Sequence, residues 1–238
     1  MSDLMQADSY YPVFQPLVQL MTGHVFGYEA LLRSITNQSP ETLFRAARAA
    51  DCLNDLDILS IKKAISAYFT ETTFTSSAPL LFINVFPSTL LHPAFDEFLH
   101  EGLSHYPPLD KRIVLEINEA NEEDKMWEIR LLGQKIRGLR QSGFLIALDD
   151  VGSGAASLKK IIEYEPDIVK LDRYFGHHLS ASRNKQKLIS LFINYCAGQT
   201  QLVLEGIEEP EDLETAKTLG VPVGQGFLLG RPDSLKLS

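Results

Sequence analysis

Hydrophobic residues along this chain fall into short runs that are separated by amphipathic segments or by turn residues. Short uninterrupted apolar runs bounded by glycine, proline or polar residues are typical of strands buried on both faces. We predict strands over residues 13–18, 25–33, 80–84, 113–117, 144–149, 167–172, 201–205 and 221–227. The link between the first two is too short for a crossover helix, so these two strands should pair antiparallel.

The segments between the later runs predict helices. Ser39, Pro40 and Glu41 have the character of a helix start, with serine as the cap and proline in the first turn. Gly220 is a typical helix stop. The predicted helices cover residues 40–69, 87–102, 122–141, 154–164, 179–197 and 210–219, with a loose leader over 1–11 and a short tail over 231–238.

The alternation of strands and helices predicts a parallel sheet with helices outside it. Eight strands in 238 residues favour a closed α/β barrel, a TIM-like (β/α)8 barrel whose first strand is antiparallel. An open doubly wound sheet is the alternative, but no glycine-rich phosphate loop follows an early strand. We predict one barrel domain over residues 1–238, with a core of about 10–232.

Composition narrows the class of protein. A net charge of −9, from 31 acidic and 22 basic residues, argues against a duplex nucleic-acid binder, which needs a basic face. Cys52 and Cys196 are far apart in predicted helices, which favours free buried thiols in a reducing compartment. The N-terminus lacks signal-peptide features, and no apolar stretch is long enough to span a bilayer. We therefore expect a cytoplasmic protein without a membrane segment.

Polar residues recur at or near the C-terminal ends of the predicted strands. These residues are Glu29, Asn84, Glu116, Asp149, Asp150, Lys170, Glu205 and Gln225. In a barrel such ends converge on one face, where barrel enzymes carry their chemistry. Carboxylate and amide oxygens suit Mg²⁺ or Mn²⁺ better than zinc. Adjacent aspartates cannot point the same way in a regular strand, so Asp149 and Asp150 should lie where the strand ends, with one bridging two metals.

Two metals on such a face can activate a water and stabilise an in-line displacement at phosphorus, and Lys170 adds positive charge. The residues alone thus predict two-metal phosphoester hydrolysis. Less specific interpretations remain for single residues. Glu29 could pair with Arg33, Asn84 could cap the next helix, and Gln225 could be a turn residue between glycines.

The run Glu29-Ala30-Leu31, with Arg33 following, resembles the signature of the EAL-domain cyclic di-GMP phosphodiesterases. Further motifs of that family match in order along nearly the whole chain. They lie at residues 14–16, 83–84, 115–119, 149–154, 170–172, 205–208 and 226–232. Each motif is weak alone, but their order and their place at strand ends make the resemblance specific.

The resemblance implies a barrel that hydrolyses cyclic di-GMP to linear pGpG with two Mg²⁺ or Mn²⁺ ions per site. It places the metal ligands at Glu29, Asn84, Glu116, Asp149, Asp150 and Glu205. It makes Glu205 also the candidate general base, and it gives Lys170 and Gln225 catalytic places near the attacking water or the phosphate. Ca²⁺ is expected to inhibit, because it prefers longer and looser coordination than Mg²⁺.

The same resemblance assigns substrate contacts and a control loop. The substrate contacts are Gln15, the backbone at Leu31, Arg33, Asp172 and Glu208, the last in a supporting position. Glu119 would anchor the loop over residues 150–157, where family dimers often meet. Val151, Ser153 and Ala155 stand there in place of the usual phenylalanine, threonine and tyrosine. These changes bear on loop order and on a possible homodimer contact more than on metal ligation.

Two alternatives stay open from the sequence. One is a barrel of the same fold that binds cyclic di-GMP or a protein partner without turnover. The other is a two-metal hydrolase of a different phosphodiester. The presence of all the matching acids favours an enzyme. No sensor or cyclase segment is recognisable, so we expect regulation by a partner protein, by oligomerisation or by another part of a longer protein.

Overall fold

A computed structural model of the chain describes residues 7–71, 78–102, 111–117, 123, 126, 130–152 and 157–235. Eight strands form a closed barrel in sequence order, and the last strand returns to the first. The strands are β1 (Tyr10–Gln19), β2 (Val25–Ser34), β3 (Leu80–Val85), β4 (Ile113–Ile117), β5 (Leu145–Val151), β6 (Ile168–Leu171), β7 (Gln201–Leu204) and β8 (Val223–Gly224). The predicted α/β barrel is confirmed.

The first strand runs against both of its neighbours, as predicted. β1 pairs antiparallel with β2 and with β8, and the other neighbouring strands pair in parallel. β1 begins at Tyr10, opposite Ser34, so the predicted leader is shorter than residues 1–11. β8 is shorter than predicted. Its strand covers Val223–Gly224, and Gln225 still donates its backbone amide to the Leu204 carbonyl and accepts from the Ile207 amide.

Helices surround the barrel. They are α1 (Pro40–Ala49), α2 (Leu53–Glu71), α3 (Pro87–Leu90), α4 (Pro93–Glu97), α5 (Arg130–Gln141), α6 (Ser157–Tyr164), α7 (Arg173–Gly176), α8 (Arg183–Cys196) and α9 (Pro210–Leu219), and a π-helical turn, Phe98–Gly102, follows α4. No helix in the described ranges is both long enough and apolar enough to cross a membrane. Cys52 and Cys196 are free and buried, as predicted.

Three predicted helices are divided or shortened, each for a local reason. The helix predicted over 40–69 divides into α1 and α2 around Asp51, whose φ of 56° is left-handed and ends a helix. The helix over 87–102 divides at Pro93, which lacks the backbone donor needed within a helix. α8 begins at Arg183 because the Ser182 side chain caps it by accepting from the Lys185 amide.

A separate layer of apolar side chains fills the barrel interior below the strand ends. It comprises Leu17, Leu80, Phe82, Val114, Ala147, Ile168, Val203 and Val223. β2 contributes Gly27, where an added Cβ would lie 2.5 Å from the Phe82 ring, so that ring occupies the space of a β2 side chain. The filled interior closes the barrel from below. Polar groups at the C-terminal ends therefore face one side only.

Candidate functional site at the C-terminal strand ends

The Lys170 ammonium lies at the centre of the carboxylates predicted from the strand ends. Its Nζ is 2.7 Å from Glu116 Oε1, 2.8 Å from Glu205 Oε1, 3.1 Å from Asp149 Oδ1 and 3.5 Å from Glu29 Oε2. Lys170 is 1% exposed. A buried ammonium is costly without compensation. The four acids therefore stabilise the charge of Lys170 in the barrel mouth, and Lys170 stabilises theirs.

Glu29 is fixed by hydrogen bonds from neutral amides. Asn84 Nδ2 donates to one carboxylate oxygen at 2.9 Å, and Gln225 Nε2 donates to the other at 2.6 Å. Gln225 Nε2 also lies 3.2 Å from Gln15 Oε1, and Gln15 donates in turn to the Gly230 carbonyl. The predicted residues Glu29, Asn84, Gln225 and Gln15 thus form one connected network. Arg33 takes no part in it and donates to the Leu32 carbonyl.

A local backbone irregularity brings the two adjacent aspartates to the same side. Asp150 has a φ of 54°, and the pairing of β5 with β6 shifts between Leu148 and Val151. One carboxylate oxygen from each of Asp149, Asp150 and Glu205 lies within 4.8 Å of the others. The strand continues to Val151 rather than ending at Asp149. Neighbouring side chains of a regular strand point to opposite faces. Here a bulge, and not a strand end, allows Asp149 and Asp150 to point to the same side.

Burial and charge pairing act in opposite directions on the pKa values of this cluster. Burial raises the pKa of Glu116 well above its usual range, and it raises the pKa of Glu205 to about 8. Burial also raises the pKa of Asp149 against the attraction of Lys170. At Glu29 burial acts in the same direction, but Lys170, Gln225 and Asn84 outweigh it and lower the pKa. Burial opposes the charge of Lys170, yet the surrounding acids raise its pKa well above the usual value.

The donor set fits divalent cations that prefer oxygen. Glu116 Oε2 is buried without a hydrogen-bond partner among the described residues, an arrangement that is costly unless a cation or proton satisfies it. Five carboxylates against one ammonium leave a formal charge of −4, which two divalent cations would balance. Ligand oxygens across such an ion lie about 4–5 Å apart at most, which agrees with the Asp149, Asp150 and Glu205 spacing.

The other predicted substrate residues lie around this centre. Asp172 caps α7 by accepting from the Tyr174 amide at 2.7 Å, and Glu208 Oε1 lies 3.3 Å from His177 Nε2. Leu31 lines a cavity of about 560 Å³ beside Glu29 and Asn84. The predicted anchor Glu119 and loop residues 153–156 lie outside the described residues.

Sequence reasoning missed the far wall of that cavity. Phe44 and Arg48 of α1, Asp57 of α2 and Phe86 after β3 line it together with the strand-end residues. Asp57 Oδ2 accepts from the Phe86 amide at 2.9 Å, and burial raises its pKa to about 7. The only signal in the sequence was an aspartate among the apolar residues of a predicted helix. A charged residue is unusual at a buried helix position, but the sequence does not show which cavity Asp57 lines.

Comparison with known proteins places this geometry in a family. The family model described as "EAL domain" matches residues 1–232. "Probable cyclic di-GMP phosphodiesterase PdeI" of Escherichia coli is 27% identical over 96% of this chain and 29% of its own length. "Cyclic di-GMP phosphodiesterase PdeF" of the same organism is 24% identical over 99% of this chain and 32% of its own length. The chain therefore spans about a third of these curated relatives.

Solved structures show the same fold. BlrP1 of Klebsiella pneumoniae in a calcium and cy-diGMP complex superposes with a TM-score of 0.82 at 27% identity, covering 94% of this chain and 56% of that one. Its manganese and cy-diGMP complex superposes equally well at 26% identity, with the same coverage. The FimX EAL domain of Pseudomonas aeruginosa, bound to c-di-GMP, has a TM-score of 0.81 at 22% identity, covering 98% and 95%. At that identity the likeness to FimX concerns the fold.

Proposed function

This chain belongs to the EAL domain family, and we propose that it is a metal-dependent phosphodiesterase that hydrolyses cyclic di-GMP to linear pGpG. The observation that carries the proposal is the carboxylate cluster around Lys170, with its buried, unpartnered Glu116 oxygen. Such a cluster at the mouth of a closed barrel is suited to cations and to an anionic substrate. The names of the similar proteins supply the substrate.

The metal ligands of the proposal are Glu29, Asn84, Glu116, Asp149, Asp150 and Glu205, and the ions are two Mg²⁺ or Mn²⁺. When bound, the ions supply an acidified water and stabilise the charge that develops on phosphate oxygens. Asp150 is the most accessible of the clustered aspartates, since Asp149 is buried beside Lys170. The related BlrP1 structures hold manganese or calcium together with the dinucleotide, which supports this cation class.

The remaining roles fall to groups that orient water and hold a proton. Glu205 is the general base of the proposal, with its carboxylate accepting the proton of the attacking water. Its pKa of about 8 describes the chain without cations, and nearby divalent charge favours the ionised form. Lys170 stays charged and keeps Glu205 Oε1 at 2.8 Å. Gln225, fixed by Glu29, presents its amide to the same space.

The cavity beside Glu29 and Asn84 accommodates the rest of the substrate in the proposal. Its volume of about 560 Å³ is within the usual range of small-molecule sites. Arg33 and the backbone at Leu31 are proposed to contact a phosphate, and Gln15, Asp172 and Glu208 to hold the substrate around it. Glu119 remains the proposed anchor of the loop over residues 150–157.

A second candidate is a receptor that binds cyclic di-GMP without turnover. The contacts of Lys170 with four acids allow for this candidate, because one ammonium can stabilise the cluster without metal and without turnover. A similar protein of Escherichia coli, 23% identical over 92% of this chain and 53% of its own length, is named an antirepressor, "Blue light- and temperature-regulated antirepressor BluF". Turnover separates the two candidates.

The test is turnover of cyclic di-GMP by the purified chain with Mn²⁺ or Mg²⁺, followed by separation of the nucleotides. We expect pGpG, and we expect its loss in EDTA and in Asp149→Asn. Asp55→Asn, at an exposed aspartate of α2, is the matched control and should keep full activity. If the chain binds cyclic di-GMP in the presence of metal but does not hydrolyse it, the receptor function is supported and the enzyme function is contradicted.

The proposal also covers inhibition by Ca²⁺, the location of the protein, its oligomeric state and its regulation. Ca²⁺ should bind the cluster but slow hydrolysis, and equal turnover with Ca²⁺ and Mg²⁺ would contradict this. We also propose a cytoplasmic location, a homodimer near the loop after Asp150, and regulation by a partner protein.

A further inference from the structure

The far wall of the substrate cavity contains an arginine that is held in place from two sides. Arg48 Nη1 is 2.6 Å from Glu123 Oε1, and its guanidinium lies over the Phe86 ring at 5.6 Å from the centroid. Glu123 is 2% exposed, whereas the Arg48 side chain is 33% exposed. The ion pair fixes the position of Arg48 through a buried carboxylate. The Arg48 side chain itself is partly exposed and lines the cavity.

The groups that hold Arg48 are themselves anchored. Glu123 Oε2 accepts from the Ser88 amide at 2.9 Å, and Asp57 Oδ2 accepts from the Phe86 amide at 2.9 Å. The Phe44 ring packs edge-to-face on Phe86, with centroids 5.3 Å apart. Arg48 is therefore preorganised by contacts to two other segments of the chain, a condition that reduces the entropy lost when it binds a ligand.

The position of Arg48 in the cavity indicates which part of a bound dinucleotide it would contact. The cavity lining runs from Glu29 and Asn84, at the strand ends, to Arg48 on α1. In the proposed function a phosphate lies at the carboxylate cluster, so a base extends along the cavity toward α1. Guanine presents two acceptors, O6 and N7, on one edge, whereas adenine presents a donor beside N7. A guanidinium carries donors in a planar fork that matches the guanine edge.

We propose that Arg48 is a base-specificity residue of this cavity, donating to O6 and N7 of one guanine, and that Glu123 is the residue that positions it. The inference rests on the proposed function, because it takes cyclic di-GMP as the ligand. It adds a selection between guanine and adenine at a place remote from the reacting phosphate. Arg48 therefore acts on substrate binding rather than on the chemical step.

The test compares cyclic di-GMP with cyclic di-AMP, the same ring carrying adenine. Equilibrium binding is measured by calorimetry with Ca²⁺ present, and initial rates are measured with Mn²⁺. Arg48→Ala should weaken cyclic di-GMP binding at least about 5-fold and leave cyclic di-AMP binding within about 2-fold. It should raise KM for cyclic di-GMP with kcat nearly unchanged. Arg48→Lys should behave like Arg48→Ala, because lysine keeps the charge but not the fork.

Two further variants separate the proposed contact from general effects. Arg45→Ala removes the same charge from an exposed arginine on the same helix and cavity, and it should keep the preference for guanine. Glu123→Gln should reduce the preference with kcat unchanged, and a thermal melt will show that the chain is folded. The melt is also run on Arg48→Ala, so that a loss of binding is read only from folded protein.

The possible outcomes are distinguishable. Wild-type protein that prefers cyclic di-GMP, together with loss of that preference in Arg48→Ala and Arg48→Lys but not in Arg45→Ala, supports the inference. Equal weakening of both dinucleotides would instead assign Arg48 to a phosphate and overturn it. Unchanged binding in Arg48→Ala would overturn it while leaving the proposed function intact. Failure of the wild-type chain both to bind and to cleave cyclic di-GMP would overturn both.

Discussion

At the residue scale, Lys170 determines how five acids can lie together in one barrel mouth. Its ammonium contacts acids from β2, β4, β5 and the end of β7. Without a cation the charge of Lys170 limits the repulsion, and burial raises the pKa of Glu116 and of Glu205, which favours their neutral forms. Metal binding should favour the ionised forms of these acids, because coordinating carboxylates are deprotonated.

Replacement of this lysine should reveal its structural contribution. We expect Lys170→Met to lower the free energy of unfolding by about 3 kcal/mol or more in EDTA, because it leaves buried acids uncompensated. Added Mn²⁺ should restore part of the loss. The measurement is urea unfolding with and without Mn²⁺. Lys217→Met, at an exposed pair with Glu214 on α9, should cost less than about 1 kcal/mol. Equal losses in the two variants would contradict a central role for Lys170.

Asp57 should make stability depend on pH. Burial raises its folded-state pKa from 3.8 to about 7, so its neutral form is favoured in the fold. Its contribution is therefore fully present below about pH 4 and is lost as pH rises toward 7, by about 4 kcal/mol in total. Asn at this position stays neutral and can still accept from the Phe86 amide.

The expected result is that Asp57→Asn is less stable than, or equal to, wild type at pH 4.5 and gains on it steadily up to pH 7.5. Denaturant unfolding at several pH values measures the difference in free energy. Asp55→Asn, two residues away and exposed, should show a flat difference. A flat difference for Asp57→Asn as well would mean that Asp57 titrates normally in the fold.

At the element scale, the site depends on the close packing of short helices on the strand ends. α7 follows β6 directly, and an added Cβ at Gly176 would lie 1.9 Å from the Glu205 carbonyl oxygen. The absence of a side chain at Gly176 thus allows α7 to lie against the backbone that carries Glu205. The bulge at Asp150 is a second such feature, since it directs a carboxylate without adding an element.

Gly176→Ala should therefore displace the end of β7. We expect a lower melting temperature and a lower kcat, because the Cβ meets backbone that cannot move without moving Glu205. Gly138→Ala in α5 is the matched control, as nothing lies within 4 Å of its added Cβ. Alanine there should stabilise the chain by up to about 1 kcal/mol. Thermal melts and initial rates measure both, and a Gly176→Ala protein with wild-type values would contradict the packing argument.

At the scale of the whole molecule, large apolar side chains are exposed on three of the outer helices. Leu131 of α5, Leu158 and Ile162 of α6 and Leu191 of α8 are each more than 60% exposed. α6 follows the loop after Asp150, which the sequence predicts to be near a dimer contact. Exposed apolar residues are typical of interaction surfaces where they lie together.

If a homodimer forms there, Leu158→Glu with Ile162→Glu should abolish it, because burying carboxylates in an apolar interface is costly. Sedimentation velocity over a range of concentrations measures the association. Met21→Glu is the control, at a residue 75% exposed in the turn between β1 and β2, on the opposite side of the barrel from the site. A wild-type chain that stays monomeric at all concentrations would exclude the homodimer.

Local patterns in the sequence predict the barrel and most of the carboxylates at its mouth. Apolar runs, helix periodicity and the short link between β1 and β2 are local signals, and parallel strands bring their C-terminal ends to one face. Helix boundaries near Asp51 and Pro93 were less accurate, since a single left-handed residue or a proline decides them.

The pairing of charges, in contrast, depends on contacts between residues that are distant in the sequence. Glu29 and Lys170 are 141 positions apart, and Arg48 and Glu123 are 75 apart, so no sequence window contains either pair. The resemblance implies that Lys170 orients a water or a phosphate, which stays a prediction, and the structure adds its contacts with four acids. The wall of Phe44, Arg48, Asp57 and Phe86 likewise follows from how α1 packs on α2 and β2 and how α2 packs on β3. Local pattern fixes elements, but burial and charge pairing depend on distances that arise only when the elements pack together.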